Sequence, residues 1–412
     1  MNLIYITQHF APEIGAASFR ATDLATFFSK HNNVSVLTSI PNYPFRTIYE
    51  GYKNENMQEN YNGCKVYRTK IRDKTRIEKA DRVLKYLQFW RNSLKLAKQI
   101  EEADIVLGSI GPILVADIAY RISKKNRIPF VLEIRDLSYK QVIATSYGSS
   151  VVAQMVKKYE INYAKKADLI ITVTEGYKKD LIANGIDSKK IKVIKNGFNF
   201  EKQVAANKKN KLYEEIKDKV SPFEIKFGYY GTLGVSQDIL SIVKKIDKFK
   251  EFGFLIIGQG AQYEALKQYL KEEKITNVFL YPSIKQEELI PFYNLVDYNL
   301  VILKNSPEFG YTIPSKIFEI MGYKSLPVFI GPNGEAANIV KEIDSRLHIQ
   351  KIEDLKILMK IDQNHKEKLK QQAYSICYQK YNRKIQATEY EKILNEFLES
   401  KSEKPNQSIV QR

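Results

Sequence analysis

Short apolar runs alternate with segments of helical periodicity along almost the whole chain. In the first half, the apolar runs read NLIYIT, VSVLTS, ADIVLGS, IPFVLEI, ADLIITVT and IKVIKNG. The second half repeats the rhythm with IKFGYYG, FGFLIIG, NVFLYPS, YNLVIL and LPVFIG. Strands separated by helices are typical of right-handed βαβ units and a parallel sheet. The pattern therefore predicts an α/β protein with two Rossmann-like, doubly wound domains.

A change in composition at residues 201–222 predicts the boundary between the two domains, which we place at 1–200 and 223–379. The boundary stretch is polar and nearly free of large aliphatic residues, as an interdomain linker is. Residues 399–412 are polar as well, and we expect a disordered tail there. Ligands of doubly wound sheets bind beyond the carboxyl ends of the strands, so we expect the site in an interdomain cleft.

The formal net charge of +18 indicates anionic partners, and half of this excess lies in residues 65–98. An apolar stripe in that segment predicts an amphipathic helix, through Val83, Leu87, Trp90, Leu94 and Ala97. One interpretation is a surface helix that packs on its own core. The alternative is a basic face on an anionic membrane surface, with Trp90, Arg91 and Lys95 as contacts. Nucleic acid is disfavoured, because no nucleic-acid-binding motif accompanies the charge.

The two cysteines, Cys64 and Cys377, lie far apart and match no metal or redox spacing, which suits a reducing compartment. The first residues read as a strand rather than a signal peptide, and no apolar run approaches the length of a membrane span. We therefore expect a cytoplasmic protein. If the basic segment contacts a membrane, we expect the protein to lie peripherally on the inner face of the plasma membrane.

Two loops between a strand and a helix could hold a phosphate group. In PEIGAASFR, the small residues Gly15 and Ala16 allow a close backbone approach at a helix N-terminus. In YYGTLGVSQD, Gly231 and Gly234 have the same placement. An ordinary tight turn remains the alternative for both. A third loop, with Gly258 and Gly260, is better explained by turn geometry alone.

The segment TIPSKIFE places a charged pair at the start of a helix. Lys316 and Glu319 are three residues apart and share one helix face, among apolar neighbours. A surface ion pair is one interpretation. The other is a ligand clamp, in which Lys316 and the helix start near Ser315 meet a diphosphate while Glu319 accepts hydrogen bonds from a ribose. Lys304, just after the strand YNLVIL, could add a second positive charge.

Several segments resemble one family, the retaining glycosyltransferases of the GT-B fold and family 4 type. They are residues 10–44, the segment ADLIITVTEGYKKDLIANGIDSKKIKVIKNGFN at 167–199, and the two segments NVFLYPSIKQEELIPFYNLVDYNLVIL and PSKIFEIMGYKSLPVFIGPNGEAANIV. PNYP and PSKIFE look most like the branch that transfers amino sugars such as N-acetylfucosamine. The resemblance implies an acceptor-side N-terminal domain, a nucleotide-sugar-binding C-terminal domain and a crossover helix at 380–398.

The resemblance also implies roles for single residues. Glu319 falls on the second glutamate of the family's Glu-x7-Glu motif, which holds the nucleotide ribose, and Tyr311 stands at the first. Ser283 and Ile284 match the segment whose backbone contacts the base. Asp136 follows Arg135, where many relatives carry a histidine near the reacting centre. We take Lys316, Lys304 and Asp136 as the catalytic candidates.

The expected function is the transfer of a sugar, with retention, from a nucleotide donor to a hydroxyl acceptor that is lipid-linked or part of a polysaccharide. UDP is the expected nucleotide. The donor is a co-substrate, and we expect neither a cofactor nor a metal, because lysines and backbone N–H groups can stabilise the leaving diphosphate. Two alternatives stay open: a nucleotide-sugar epimerase of the same fold, and a non-catalytic GT-B subunit that binds a partner transferase.

Overall fold

The structure is a computed structural model that describes residues 1–43, 47–72, 79–111, 113–144, 150–202, 211–246 and 248–407. The chain forms two compact units. Unit 1 comprises Met1–Tyr139, Ser149–Asn196 and Lys384–Arg412, and unit 2 comprises Lys140–Gly148 and Gly197–Arg383. Within the described ranges, no helix combines the length and apolar character that crossing a membrane requires.

Unit 1 is built on an eight-stranded sheet with the order β3-β4-β2-β1-β5-β6-β7-β8. The strands are β1 (Asn2–Ile6), β2 (Asn33–Ser39), β3 (Met57–Tyr61), β4 (Cys64–Thr69), β5 (Ile105–Ile110), β6 (Phe130–Ile134), β7 (Leu169–Thr172) and β8 (Ile191–Val193). All neighbours pair in parallel except β3 and β4, which form an antiparallel edge. The helices in this part of the chain are α1 (Ala16–Phe28), α2 (Lys79–Leu96), α3 (Leu114–Asn126), α4 (Ser138–Ala144), α5 (Ser150–Lys166) and α6 (Glu175–Ala183).

A buried ion pair crosses the core of unit 1. Arg20 on α1 donates from Nε (3.1 Å) and Nη2 (2.9 Å) to Glu133 Oε1 on β6. The side chains are only 3% and 0% exposed. Ser109 on β5 donates to the other carboxylate oxygen at 2.5 Å. Burial opposes the charged carboxylate, but the charges of Arg20 and Arg135 and the hydrogen bonds from Ser109 and Arg20 together outweigh that cost and lower the pKa of Glu133.

Unit 2 contains a six-stranded sheet with the order β11-β10-β9-β12-β13-β14, paired in parallel throughout. The strands are β9 (Ile225–Thr232), β10 (Phe252–Gln259), β11 (Val278–Tyr281), β12 (Tyr298–Ile302), β13 (Pro327–Ile330) and β14 (His348–Ile349). The helices are α7 (Lys211–Val220), α8 (Ile239–Ile246), α9 (Tyr263–Glu272), α10 (Gln286–Tyr293), α11 (Lys316–Gly322), α12 (Glu335–Ile343) and α13 (Gln363–Lys380). The two parallel sheets confirm the predicted α/β class.

Short 3₁₀ helices complete the described structure: Ala97–Gln99, Ser188–Lys190, Phe200–Lys202, Pro307–Tyr311, Ser345–Leu347 and Ile352–Lys360.

The linker predicted over 201–222 differs from the structure. Its second part forms α7, which buries Ile216 and Val220 in the core of unit 2. Leu212 and Tyr213 are partly buried against the same core, and because these few apolar side chains stand among polar ones, the segment looks like a linker. Residues 203–210 lie outside the described residues.

The C-terminal helix α14 (Arg383–Gln407) packs on unit 1, because Ala387, Tyr390 and Leu394 are buried in the core of that unit. The Tyr390 ring meets Phe28 of α1 edge-on, with ring centroids 5.5 Å apart. The tail predicted to be disordered from residue 399 is helical as far as Gln407, since its polar residues continue a helix already fixed by packing. Residues 408–412 lie outside the described residues.

Helix α2 does not bury the stripe that the sequence pattern indicates. Phe89, Ser93 and Leu96 are 3%, 0% and 5% exposed, whereas Leu87 is 47% exposed. Buried residues at spacings of four and three define the inward face, and the predicted stripe lies beside it. The error arises because apolar residues occur on both faces of α2. The side chain of Val83 lies outside the described residues.

We expect Glu133→Ala to lower the free energy of unfolding of unit 1 by about 3 kcal/mol, because it leaves the Arg20 guanidinium buried without its counterion. Urea unfolding followed by circular dichroism measures the loss. The control is Lys401→Ala, which removes an exposed ion pair with Asp168 in the same unit and should cost less than about 1 kcal/mol. Equal effects of the two substitutions would contradict the importance of the buried pair.

Candidate functional site

The loop after β9 in unit 2 depends on two glycines. Gly231 has φ +150°, a conformation that side chains disfavour. A Cβ atom on Gly258, at the end of β10, would lie 2.0 Å from the Gly231 carbonyl oxygen. Gly258 must therefore stay glycine to let the two strand ends approach. This close packing agrees with the turn geometry expected for Gly258, and it holds the Gly231 loop in place.

Lys316 and Glu319 form an ion pair beside this loop. Lys316 Nζ donates to Glu319 Oε2 at 2.9 Å and to the Tyr293 hydroxyl at 3.0 Å. The side chains are 31% and 15% exposed, so the pair is half-buried rather than solvated. The Lys316 Cε atom lies 3.9 Å from the position of a Cβ on Gly231. The structure thus brings Gly231, Lys316 and Glu319 together, as the ligand-clamp interpretation requires.

The charge of Glu319 is stabilised although its surroundings are largely apolar. Burial disfavours the ionised form, but the charge of Lys316 and hydrogen bonds from Lys316, Gln286 and Tyr293 lower the pKa of the carboxyl group. The Gln286 amide donates to Glu319 Oε1 at 2.9 Å. The buried Tyr293 ring stacks on Tyr323 with centroids 5.4 Å apart. The carboxylate is therefore fixed in position and ionised at neutral pH.

The hydrogen bonds of the pair leave capacity for a ligand. An ammonium group has three protons, and Lys316 uses two of them, on Glu319 and Tyr293. A carboxylate has about four acceptor positions, of which Lys316, Gln286 and Tyr293 occupy three. One donor position and about one acceptor position remain. The pair can therefore bind an anionic oxygen and a hydroxyl group at the same time.

Lys304 follows β12, and its backbone lies against the Gly231–Gly234 loop region, because its N–H donates to the Ser236 carbonyl at 2.8 Å. The side chain is half-buried. Its ammonium group makes no hydrogen bond or ion pair with the part of the chain that the structure describes. A half-buried cation without a counterion is suited to bind an anion.

The remaining predicted residues of unit 2 flank this cluster. Ser283 is exposed and Ile284 half-buried, in the segment that leads to Gln286. The Ser315 carbonyl accepts from the backbone of Glu319, so Ser315 begins the first turn of α11. Tyr311 ends a 3₁₀ helix and is half-buried, and no carboxylate replaces the absent first glutamate at that position.

In unit 1, Gly15 caps the N-terminus of α1 without a side-chain hydrogen bond, and Ala16 is exposed. The Arg135 guanidinium joins this loop to the end of β5, because it donates to the carbonyls of Ala17 (3.3 Å) and Ile110 (3.3 Å). Asp136 is exposed and accepts from the Tyr177 hydroxyl at 3.3 Å. The structure brings the Arg135 guanidinium to the first turn of α1. A phosphate site at Gly15 and Ala16 stays a prediction.

The predicted membrane residues lie on α2. Arg91 and Lys95 are exposed. Trp90 is held against α3, because its indole N–H donates to Asp117 at 2.5 Å and Arg121 lies 5.4 Å from its ring centroid. Trp90 therefore connects α2 and α3 of unit 1 through these two contacts.

Reasoning from sequence missed four polar residues. Gln286 and Tyr293 contact the Lys316–Glu319 pair, and their spacing of seven on one helix could have indicated a shared face. His9 and Glu13 form a pair in the loop between β1 and α1, with 2.6 Å between His9 Nδ1 and Glu13 Oε2. Their spacing of four residues, in a loop that follows a strand, could have indicated that the two side chains meet. Within the described ranges, no three His, Cys, Asp or Glu side chains gather as a metal site would need.

Comparison with known proteins agrees with this architecture. Residues 10–202 match the profile of Glycosyltransferase Family 4. The chain is 22% identical over 284 residues to an uncharacterized glycosyltransferase of Methanocaldococcus jannaschii, a match that spans 65% of this chain and 66% of that protein. It is similar to the sucrose-phosphate synthase of Thermosynechococcus elongatus, with a TM-score of 0.76, 12% identity and coverage of 97% of this chain and 100% of the other.

A second solved structure is Anabaena HepE in complex with UDP-glucose, with a TM-score of 0.70 and 15% identity, covering 96% of this chain and 100% of that one. The chain has the GT-B fold, and its residues 10–202 are similar to Glycosyltransferase Family 4. The predicted fold is thereby confirmed. The matched domain ends at residue 202, so the Lys316–Glu319 cluster lies in the second half of the GT-B chain, outside the matched residues.

We expect Tyr293→Phe to lower the free energy of unfolding of unit 2 by about 1 kcal/mol, because the Lys316 ammonium loses a buried hydrogen-bond partner. Tyr323→Phe is the matched control. Its ring stacks on Tyr293, but its hydroxyl makes no hydrogen bond within the described residues, so the change should be close to zero. Urea unfolding of both variants tests the difference, and equal losses would contradict the hydrogen-bond geometry.

Proposed function

We propose that the chain transfers a sugar from a UDP-linked donor to the hydroxyl group of a lipid-linked saccharide or polysaccharide acceptor. The observation that carries the proposal is the half-buried Lys316–Glu319 pair beside the Gly231 loop. The remaining donor position of Lys316 suits a diphosphate oxygen, and the remaining acceptor position of Glu319 suits a ribose hydroxyl. The UDP-glucose complex of Anabaena HepE, which has the same fold, supports this choice of nucleotide.

Charge stabilisation is the main chemical task of such a site. The bond between the anomeric carbon and the diphosphate breaks, and negative charge builds on the leaving group. Lys316 and Lys304 supply fixed positive charge, and the backbone N–H groups of the Gly231–Gly234 loop and the start of α11 add donors. The acceptor oxygen forms the new glycosidic bond, and the leaving diphosphate takes the acceptor proton. Because the acceptor attacks from the face that the diphosphate leaves, the configuration at the anomeric carbon is retained and no protein nucleophile is needed.

The finer parts of the proposal follow from the resemblance of PNYP and PSKIFE to the amino-sugar branch. We propose an N-acetylated amino sugar as the transferred group and a role in the assembly of surface polysaccharide. Asp136 is proposed to act near the reacting centre, as its place after Arg135 suggests. Product analysis with UDP-sugars separates this function from its rivals: a transferase forms a glycosidic bond, an epimerase converts the donor alone, and a binding subunit does neither.

We expect Glu319→Gln to weaken UDP binding about tenfold or more, because the ligand loses a charge-assisted hydrogen bond. Isothermal titration calorimetry gives the dissociation constant directly. Glu308→Gln is the control. The Glu308 carboxylate accepts a hydrogen bond from the Ser306 hydroxyl, and Glu308 precedes Glu319 by eleven residues in the sequence. If Glu319→Gln binds UDP as tightly as the unchanged chain, the donor site has been misplaced.

We further propose that α2 rests on an anionic membrane surface, where a lipid-linked acceptor would be found. The outward face of α2 carries Leu84 and Leu87, 43% and 47% exposed, with Arg91 and Lys95 at the next turns. A groove of 520 Å³ lies beside its C-terminal end, lined by Leu94, Ala97, Lys98, Tyr120, Arg121, Ile122, Lys124, Lys125 and Asn126. Apolar side chains among cations match the interface of a bilayer with anionic headgroups.

The double substitution Arg91→Glu and Lys95→Glu should reduce binding to vesicles of phosphatidylcholine and phosphatidylglycerol by more than about tenfold, since each basic residue contributes about 1 kcal/mol. Flotation through a density gradient measures the bound fraction. Lys248→Glu with Lys250→Glu changes the net charge equally on exposed positions of unit 2 and should have little effect. Binding that ignores phosphatidylglycerol content, or equal losses in both variants, would exclude α2 as the membrane contact.

A further inference from the structure

Hydrogen bonds fix the orientation of the first peptide groups in the loop after β9 of unit 2. The Thr232 carbonyl accepts from the Tyr229 hydroxyl at 2.7 Å. The Leu233 N–H of the same peptide group donates to the Gln259 carbonyl at 3.0 Å. The carbonyl and the N–H of a trans peptide group point in opposite directions, so partners on both sides fix its plane. The next peptide group is held from one side, because the Leu233 carbonyl accepts from the Gln262 N–H at 3.0 Å.

Three consecutive backbone N–H groups follow in this loop, those of Gly234, Val235 and Ser236. They make no hydrogen bond within the residues that the structure describes, and all three residues are half-buried. The Gly234 N–H belongs to the peptide group whose carbonyl Gln262 holds, and it therefore points away from Gln262. Backbone N–H groups without a protein acceptor are donors for an anion. These three groups are the part of the loop that suits a diphosphate.

The Tyr229 hydroxyl lies close to the Lys316 side chain as well as to the loop. A Cβ atom on Gly231 would lie 4.0 Å from the Tyr229 hydroxyl oxygen and 3.9 Å from Lys316 Cε, so both groups flank the same side of Gly231. Burial raises the pKa of the Tyr229 hydroxyl, although the charge of Lys316 acts in the opposite direction. The hydroxyl therefore keeps its proton at neutral pH and remains a donor to the Thr232 carbonyl.

The neighbouring tyrosine, Tyr230, shows what a purely structural hydroxyl looks like in the same strand. It is 3% exposed, and its hydroxyl donates to the Phe292 carbonyl of α10 at 2.8 Å. Consecutive residues of a strand point to opposite faces, so the two tyrosines serve different surroundings. The acceptor of Tyr229 is the carbonyl of an exposed residue, Thr232, at the start of the loop. A phenylalanine would fill the same space, but it would leave this carbonyl unbound.

We propose that Tyr229 is a positioning residue for the diphosphate side of the donor site. Its hydroxyl holds the Thr232 carbonyl, and through it the peptide groups that follow. The unpaired N–H groups are then already oriented when a nucleoside diphosphate binds, which lowers the cost of binding. This inference rests on the proposed function and deepens it, because it names a residue that favours the diphosphate over the bare nucleoside. Tyr229 acts through the loop and undergoes no chemical change.

The test compares UDP with uridine on the full chain, because the two ligands share the base and the ribose and differ in the diphosphate. Ligand-observed NMR titration measures both affinities. We expect Tyr229→Phe to weaken UDP binding about fivefold, while uridine affinity changes less than about twofold. The loop donors lose their fixed orientation in this variant, and the contacts to base and ribose do not depend on them. The phosphorus NMR resonances of bound UDP should shift as well.

Tyr230→Phe is the matched control, since it removes the adjacent hydroxyl and a hydrogen bond of similar length away from the loop. Thermal melting should show similar losses of stability in both variants, and only Tyr229→Phe should lose UDP affinity. Unchanged UDP binding in Tyr229→Phe, equal losses in both variants, or equal losses for UDP and uridine would overturn the positioning role. An unchanged chain that does not bind UDP would overturn the proposed function instead.

Discussion

The half-buried contact between Lys316 and Glu319 is the constraint on which the candidate site depends. A carboxylate with 15% exposure keeps its charge only where cations and donors surround it, and α11 and α10 provide them through Lys316, Gln286 and Tyr293. If the pair served stability alone, an apolar pair would do as well. Its incomplete hydrogen bonding, with one donor and about one acceptor position left, is the feature that points to a ligand.

Close backbone contacts make that site rigid. Gly258 can approach the Gly231 carbonyl only because it lacks a side chain, and this contact fixes the loop beside the Lys316 side chain. Gly322, at the end of α11, is packed against the Phe198 ring in the same way. Both ends of the cluster are therefore held by contacts that tolerate no added atoms. A ligand would meet donors already in position, which lowers the cost of binding.

The sequence predicted the parallel strands well, because strands buried on both faces appear as continuous apolar runs. It did not predict β3, whose MQENY is half-exposed and mostly polar, its neighbour β4 or the two-residue β14. It also did not predict α7, whose few apolar side chains stand among polar ones. Within the site, the spacing of Lys316 and Glu319 was sufficient to predict their contact. Their contacts with Gln286 and Tyr293 depend on how α10 packs against α11, and a periodic pattern within one helix carries no information about packing between helices.

The two polar clusters, one in each unit, are built in the same way. In both, a nearly buried glutamate is held by several donors and in turn fixes one neighbouring side chain. In unit 2 the fixed neighbour is Lys316, and the cluster is left with a positively charged donor. In unit 1 the neighbour is His9, whose ring centroid lies 5.2 Å from that of Tyr43.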